Sequence, residues 1–204
     1  VYLELMQSTG MLEAALLGKA TANLDEALGM RIDHGQLDKI VANVVGELDE
    51  WEAKAREVNN CDSEQASPGC NVKVRYLAQV LRIWAPEEVY AQTVLAYKLI
   101  KADPRIVGLN FVAPEDHPIA LRDYSMHMEF IREIGTMFPE QRRGITLHSG
   151  ELALGLVPPE HLGWHITEAI DVAGARRVGH AVDIAHTPDL YRLLKKMAED
   201  EIMV

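Results

Sequence analysis

"GITLHSGELALG", residues 144–155, decides how the rest of the chain is read. Ile145, Thr146 and Leu147 are apolar or β-branched and run straight into His148, Ser149, Gly150 and Glu151. Such a run reads as a buried strand that stops at an imidazole and, past a glycine, a carboxylate. In parallel-strand folds the carboxyl end of a strand is where reactive groups gather.

Five more strand-like runs surround it: "VYLELM" (1–6), "VKVRYLAQVL" (72–81), "IVGLNFV" (106–112), "RRVGHAV" (176–182) and "EIMV" (201–204). Several are almost continuously apolar, as parallel strands covered on both faces are. Helical patterns fill the gaps. Leu37, Ile40, Val41, Val44, Leu48 and Trp51 recur at helical spacing within 36–58, and 85–102, 118–138, 159–174 and 187–200 complete the set. Strands alternating with long helices imply right-handed βαβ units and a parallel sheet. Two architectures compete, a doubly wound open sheet and a (β/α)8 barrel. No G-x-G-x-x-G and no P-loop follows any strand, which weakens the nucleotide-binding open sheet. The expectation is therefore an α/β TIM barrel, of which 204 residues supply roughly five and a half of the eight βα units.

The bulk numbers narrow the function. A formal net charge of -11 argues against a nucleic-acid partner, since phosphate binding calls for clustered Lys and Arg. No run of about 18 apolar residues is present to cross a membrane. The chain opens at "VYLELMQST" without an initiator Met and stops at "EIMV" as another strand begins, so it reads as an internal segment of a longer protein. Its only cysteines, Cys61 and Cys70, lie in "NNCDSEQASPGCNV", a surface loop by composition. Their spacing suits a small disulfide loop in an oxidising compartment, and equally two unrelated thiols. It does not suit zinc, which favours C-x2-C pairs.

At the strand ends, His148, Glu151 and His180 are harder to explain as structure than any one of them alone. A neutral imidazole is a common zinc ligand, a carboxylate beside it can shuttle a proton, and a second imidazole can orient a water. That set describes metal-assisted hydrolysis. Glu115 and Asp116, in "APEDH" after the third run, read either as substrate contacts or as a solvated loop pair. His165 and Asp183 read as structural, Glu4 as an inward-facing carboxylate, and His34, His117, His127, His161 and His186 as surface or capping residues.

"TLHSGE" followed about thirty residues later by "RRVGHAVD" resembles the paired signature of the adenosine deaminases, in the amidohydrolase superfamily. In addition, "VYLELMQST" looks like that family's second strand and "IVGLNFVAPED" like its fourth, so the resemblance runs from strand two to the start of strand seven. It is closest to the secreted, growth-factor-like group and its bacterial relatives, several of which carry a cysteine-bounded loop before strand three. The resemblance implies one partial metal-dependent hydrolase domain over 1–204, with a surface loop insertion at about 59–71. It favours a Cys61–Cys70 bridge and a periplasmic or secreted location.

Carried over by residue, it implies a zinc ligand at His148 and a proton donor to purine N1 at Glu151. It makes His180 the group that holds the attacking water. Ala113, where the family usually has Gly, would meet the purine nucleoside, the only partner class implied; of the two acids that follow, Glu115 is the candidate for a substrate contact if the pair is not simply solvated. The donor role needs Glu151 protonated as substrate binds, in a dry pocket. The family's H-x-H and Asp-pair zinc ligands fall outside these residues, so the segment alone should neither hold its single zinc tightly nor turn over. Deamination of another aminopurine, or adenosine binding without catalysis, are the alternatives; AMP would need a basic phosphate pocket, and none is evident.

Overall fold

The computed structural model describes the backbone of residues 2–8 and 34–204, and the side chains of 34–140 and 144–204. The side chain of Glu4 lies outside the described residues. Five of the six apolar runs form strands: β1 (Tyr2–Ser8), β2 (Lys73–Leu81), β3 (Ile106–Val112), β4 (Ile145–Ser149) and β5 (Arg177–His180). All four pairings are parallel, and the strands lie in chain order, β1-β2-β3-β4-β5. The helices are α1 (His34–Val58), α2 (Pro86–Ala102), α3 (Pro118–Met137), α4 (His165–Asp171) and α5 (Leu190–Glu199).

Local chemistry explains where the helices form. In α1, Leu37, Ile40, Val44 and Leu48 are buried along one stripe. α2 opens with Pro86 and two glutamates, and the Ala85 N–H donates to Glu88 Oε2 at 3.2 Å. Asp189 caps α5 by accepting from the Arg192 N–H. Helices α1 to α4 touch in sequence, and α2 also packs on β2 and β3. Consecutive strand order with right-handed crossovers puts the crossover helices on a single face. The doubly wound alternative requires the strand order to reverse, and no reversal occurs among the described strands.

Two glycines make the close approach of β3 to β4 possible. A Cβ built on Gly108 would lie 1.8 Å from the Gly144 carbonyl oxygen, and one on Gly144 would lie 1.9 Å from that of Val107. Below the sheet, Arg105 ties the start of β3 to α1 through Asp103, Asp49 at 2.7 Å and Glu52 at 3.3 Å. Hydrogen bonding to Arg105 holds the Asp103 carboxyl below the usual carboxylate range, although burial opposes it.

Three expectations are corrected. "EIMV" contributes only a single bridge, Met203 to Arg177, on the far edge of β5. The helix expected over 159–174 shrinks to α4, because Gly163 sits at φ +80° and breaks the chain between a short turn at Pro159–His161 and His165. His127 is not at the surface. It is fully buried on α3 against Phe111 and Phe130, and neither ring nitrogen has a hydrogen-bond partner among the described residues.

The loop at 59–71 is closed by a disulfide between Cys61 and Cys70, joining the end of α1 to the approach of β2. Releasing a loop of this length frees unfolded-chain entropy worth about 2–3 kcal/mol. Cys61→Ser should lower unfolding stability by about that amount in urea titrations, and dithiothreitol should bring the unsubstituted protein to the same value. Identical curves with and without reductant would show that the bridge contributes nothing.

Burial pushes the His127 imidazole down to about 4. The unfolded chain takes up this proton below about pH 6.5 and the folded chain only below about 4, so stability drains away as pH falls through that window. Each pH unit removes at most about 1.4 kcal/mol. His127→Leu should therefore flatten the acid limb of stability by roughly 2–3 kcal/mol between those limits. Parallel pH profiles for the two proteins would refute it.

Candidate active site

Three neighbouring strand ends turn into one cleft. The ladder sets His148 opposite Gly179 and Ser149 opposite His180. The cleft has a volume of about 370 Å3 and is bounded by Ala113, Pro114 and Asp116 after β3, His148 and Glu151 at the end of β4, and His180 on β5. Leu156 forms its apolar lip. Each strand leaves through the left-handed region, at Ala113 (φ +89°), Gly150 (+75°) and His180 (+80°). Gly150 accepts this freely; a non-glycine residue there costs roughly 1–2 kcal/mol. Backbone held in such sparsely populated conformations clusters at functional sites.

His148 is oriented through one nitrogen. Its Nδ1 lies 3.0 Å from the Asn110 side-chain oxygen on β3. An amide oxygen only accepts, so Nδ1 carries the proton and Nε2 keeps its lone pair. Burial, then the charge of Arg82 and the neighbouring His180, hold the imidazole below its ordinary value, which keeps it neutral near pH 7. The rings of His148 and His180 lie 5.1 Å apart, and His180 Nε2 is 3.5 Å from Glu151 Oε2. The Glu151 side chain is 47% exposed, so the dry pocket expected for it is not formed by the described residues alone.

Glu115 is not in the cleft. It is 1% exposed and lies behind the wall. Its Oε1 accepts from the Gly150 N–H at 3.0 Å and from His165 Nδ1 at 2.6 Å, and its Oε2 from the Glu151 N–H at 2.6 Å. Burial alone would push this carboxyl up; the His165 hydrogen bond, the Arg82 charge and the Gly150 N–H outweigh it and hold it below the usual range. The expected contact between Glu115 and a nucleoside is thus replaced by contacts to backbone, while Asp116, one residue on, faces the cleft.

Arg82, just past β2, is equally buried. Its Nε donates to the Ala113 carbonyl at 3.0 Å and its Nη1 to that of His148 at 2.9 Å. His165 stacks on Tyr124 with ring centroids 3.9 Å apart, and the Tyr124 hydroxyl donates to the His165 carbonyl and meets Ser149 Oγ at 2.8 Å. Asp183 accepts from the Gly163 N–H at 2.8 Å, and its other oxygen lies where a Cβ on Gly150 would fall. His165 and Asp183 are structural, as expected.

Of the residues read from sequence, the structure gathers His148, Glu151, His180 and Ala113 around one cleft and withholds Glu115. Asn110 and Arg82 were missed. Each carried a signal, a lone amide inside "IVGLNFV" and a cation closing the apolar end of "VKVRYLAQVLR". Among the described residues, no three His, Cys, Asp or Glu side chains converge into a group able to hold a metal ion. Neither the family models nor the curated proteins compared with this chain give a match.

Ala113 is the strained non-glycine exit whose side chain is smallest. Ala113→Gly should raise unfolding stability by about 0.5–1 kcal/mol, measured by chemical denaturation. A loss of stability would mean that the methyl's packing outweighs the backbone strain.

Proposed function

We propose that the intact protein is a zinc-dependent hydrolase that deaminates adenosine or 2'-deoxyadenosine to inosine and ammonia. The observation that carries this reading is the convergence of His148, Glu151 and His180 on one cleft, in the order and spacing that resemble the adenosine deaminases. The accompanying fold is a (β/α)8 barrel, with this chain forming strand two to the start of strand seven. Consecutive parallel order supports it, because a sheet with its crossover helices on one face needs its other face covered, and closure into a barrel does that. The bridged cysteines favour a periplasmic or extracellular location.

The donor chemistry at His148 fits zinc. Its neutral ring, protonated at Nδ1 and oriented by Asn110, leaves Nε2 as the ligating atom. The remaining ligands belong, by the resemblance, to strands one and eight. Bound there, zinc would supply Lewis-acid activation of a water. The chain's own residues do the rest. Glu151 delivers a proton to N1 of the purine, which makes C6 electrophilic. His180, within reach of Glu151, holds the attacking water and steadies the charge that develops on it. Addition at C6 and loss of the amino group as ammonia complete the exchange. Among the described residues the lining includes Asp116 and Glu151 and no Lys or Arg, which favours a neutral nucleoside over a phosphorylated one.

The test is the ultraviolet absorbance change of adenosine with full-length, zinc-loaded protein. Glu151→Gln should keep zinc and lower turnover by about 10^2–10^4, the range of general acid catalysis. Near-normal turnover in that variant would remove Glu151 as proton donor. A wild-type protein that binds adenosine and turns over no aminopurine would sink the enzyme reading in favour of a binding protein.

A further inference from the structure

We propose that Glu115 is a positioning residue: its buried carboxylate, held by His165, fixes the backbone of Gly150 and Glu151 and thereby aims the Glu151 side chain into the cleft. Two consecutive N–H groups point at one carboxylate, each with its own oxygen, at 3.0 and 2.6 Å. They can converge because Gly150 stands at φ +75°, and a side chain at that position would strike Asp183 and Ile166. Without Glu115, the buried Gly150 donor would have lost its acceptor, which is a costly state.

Arg82 completes the arrangement from the other side. It grips the carbonyls of Ala113 and His148, while Glu115, two residues beyond Ala113, grips the amides two and three residues beyond His148. The two strand exits are therefore joined twice, once by a cation on a carbonyl of each and once by the anion that the β3 exit places on the amides of the β4 exit. Three N–H donors face Glu115, from Gly150, Glu151 and His165. A glutamine of the same shape has one acceptor oxygen and presents an NH2 group to at least one of those donors. The site thus requires a carboxylate, although the carboxylate does not reach the cleft.

The geometric claim stands apart from the proposed function; its consequence for turnover rests on Glu151 being the proton donor. The experiment reads both in full-length, zinc-loaded protein. Amide hydrogen exchange is followed by NMR alongside kcat and KM for adenosine. Glu115→Gln should speed exchange at Gly150 and Glu151 by roughly 10–100-fold, the loss expected for charge-assisted hydrogen bonds, and leave the Leu147 amide unchanged. It should lower kcat by about 10^2, as a misplacement near 1 Å does, with KM within about threefold. Glu115→Asp, which keeps both acceptors on a shorter arm, should recover part of each loss.

If Glu115→Gln does not fold, His165→Phe, which keeps the stack on Tyr124 and removes the Nδ1 donor, should move the same two amides and kcat by about 3–10-fold. Unchanged exchange at Gly150 and Glu151 in a folded variant overturns the proposal, whatever the activity. A tenfold rise in KM at unchanged kcat would also overturn it, by placing Glu115 on the substrate. Should the wild type deaminate no aminopurine while exchange responds as expected, the positioning role survives and the proton-donor role fails.

Discussion

The buried pair of Arg82 and Glu115 is the constraint on which the site depends. Neither side chain reaches solvent, yet each is occupied by backbone rather than by the other: Arg82 by two carbonyls, Glu115 by two amides and an imidazole. Taking one such charge out of water costs several kcal/mol, and mutual attraction alone rarely offsets two. Hydrogen bonding to fixed dipoles, which among the described residues leaves Arg82 Nη2 without a partner, makes the arrangement tolerable. It also makes it rigid, because a displaced loop would expose an uncompensated charge inside the protein. The ends of β2, β3 and β4 and the start of α4 are therefore coupled through electrostatics as well as packing.

The two ends of the sheet divide the work. Where the strands begin, Arg105 with Asp103, Asp49 and Glu52 anchors β3 to α1, and the Cys61–Cys70 bridge fastens the approach to β2. These groups draw on loop entropy and partly exposed ion pairs, both of which act on stability without shaping the cleft. Where the strands finish, strained exits and buried charges hold His148, Glu151 and His180 together. Strain at that end is sustained because the other end and the helical layer determine where the chain runs.

Five strands and their helices were legible because apolar runs and helical periodicity report burial directly, and α1, α2 and α3 begin and end near their expected limits. The misreadings have physical causes. "EIMV" has the composition of a strand, but a strand forms only where a partner edge extends along it, and Met203 meets β5 at one position. The α4 helix is short because a left-handed glycine interrupts a pattern whose periodicity continues on both sides. His127 looked polar because its identity is polar, whereas its place in the heptad-like stripe of α3 beside Tyr124, Met128 and Ile131 is that of a core residue.

The site was legible to the same depth. Groups that line the cleft with their own side chains, His148, Glu151 and His180, announce themselves at strand ends. Glu115 was misassigned because a carboxylate after a strand and a proline looks the same in sequence whether it faces ligand or backbone. What distinguishes the two is the convergence of amides from residues 150 and 151, thirty-five residues away, which no local pattern encodes. Asn110 and Arg82 belong to the same class, since their work is done on a ring and on carbonyls contributed by other strands. Polar residues that break an apolar run without reaching the surface are the sequence trace of such groups. Their presence at the same ends as the cleft-lining residues is what makes a strand end a prepared site, because a side chain can be aimed only if the backbone beneath it cannot turn.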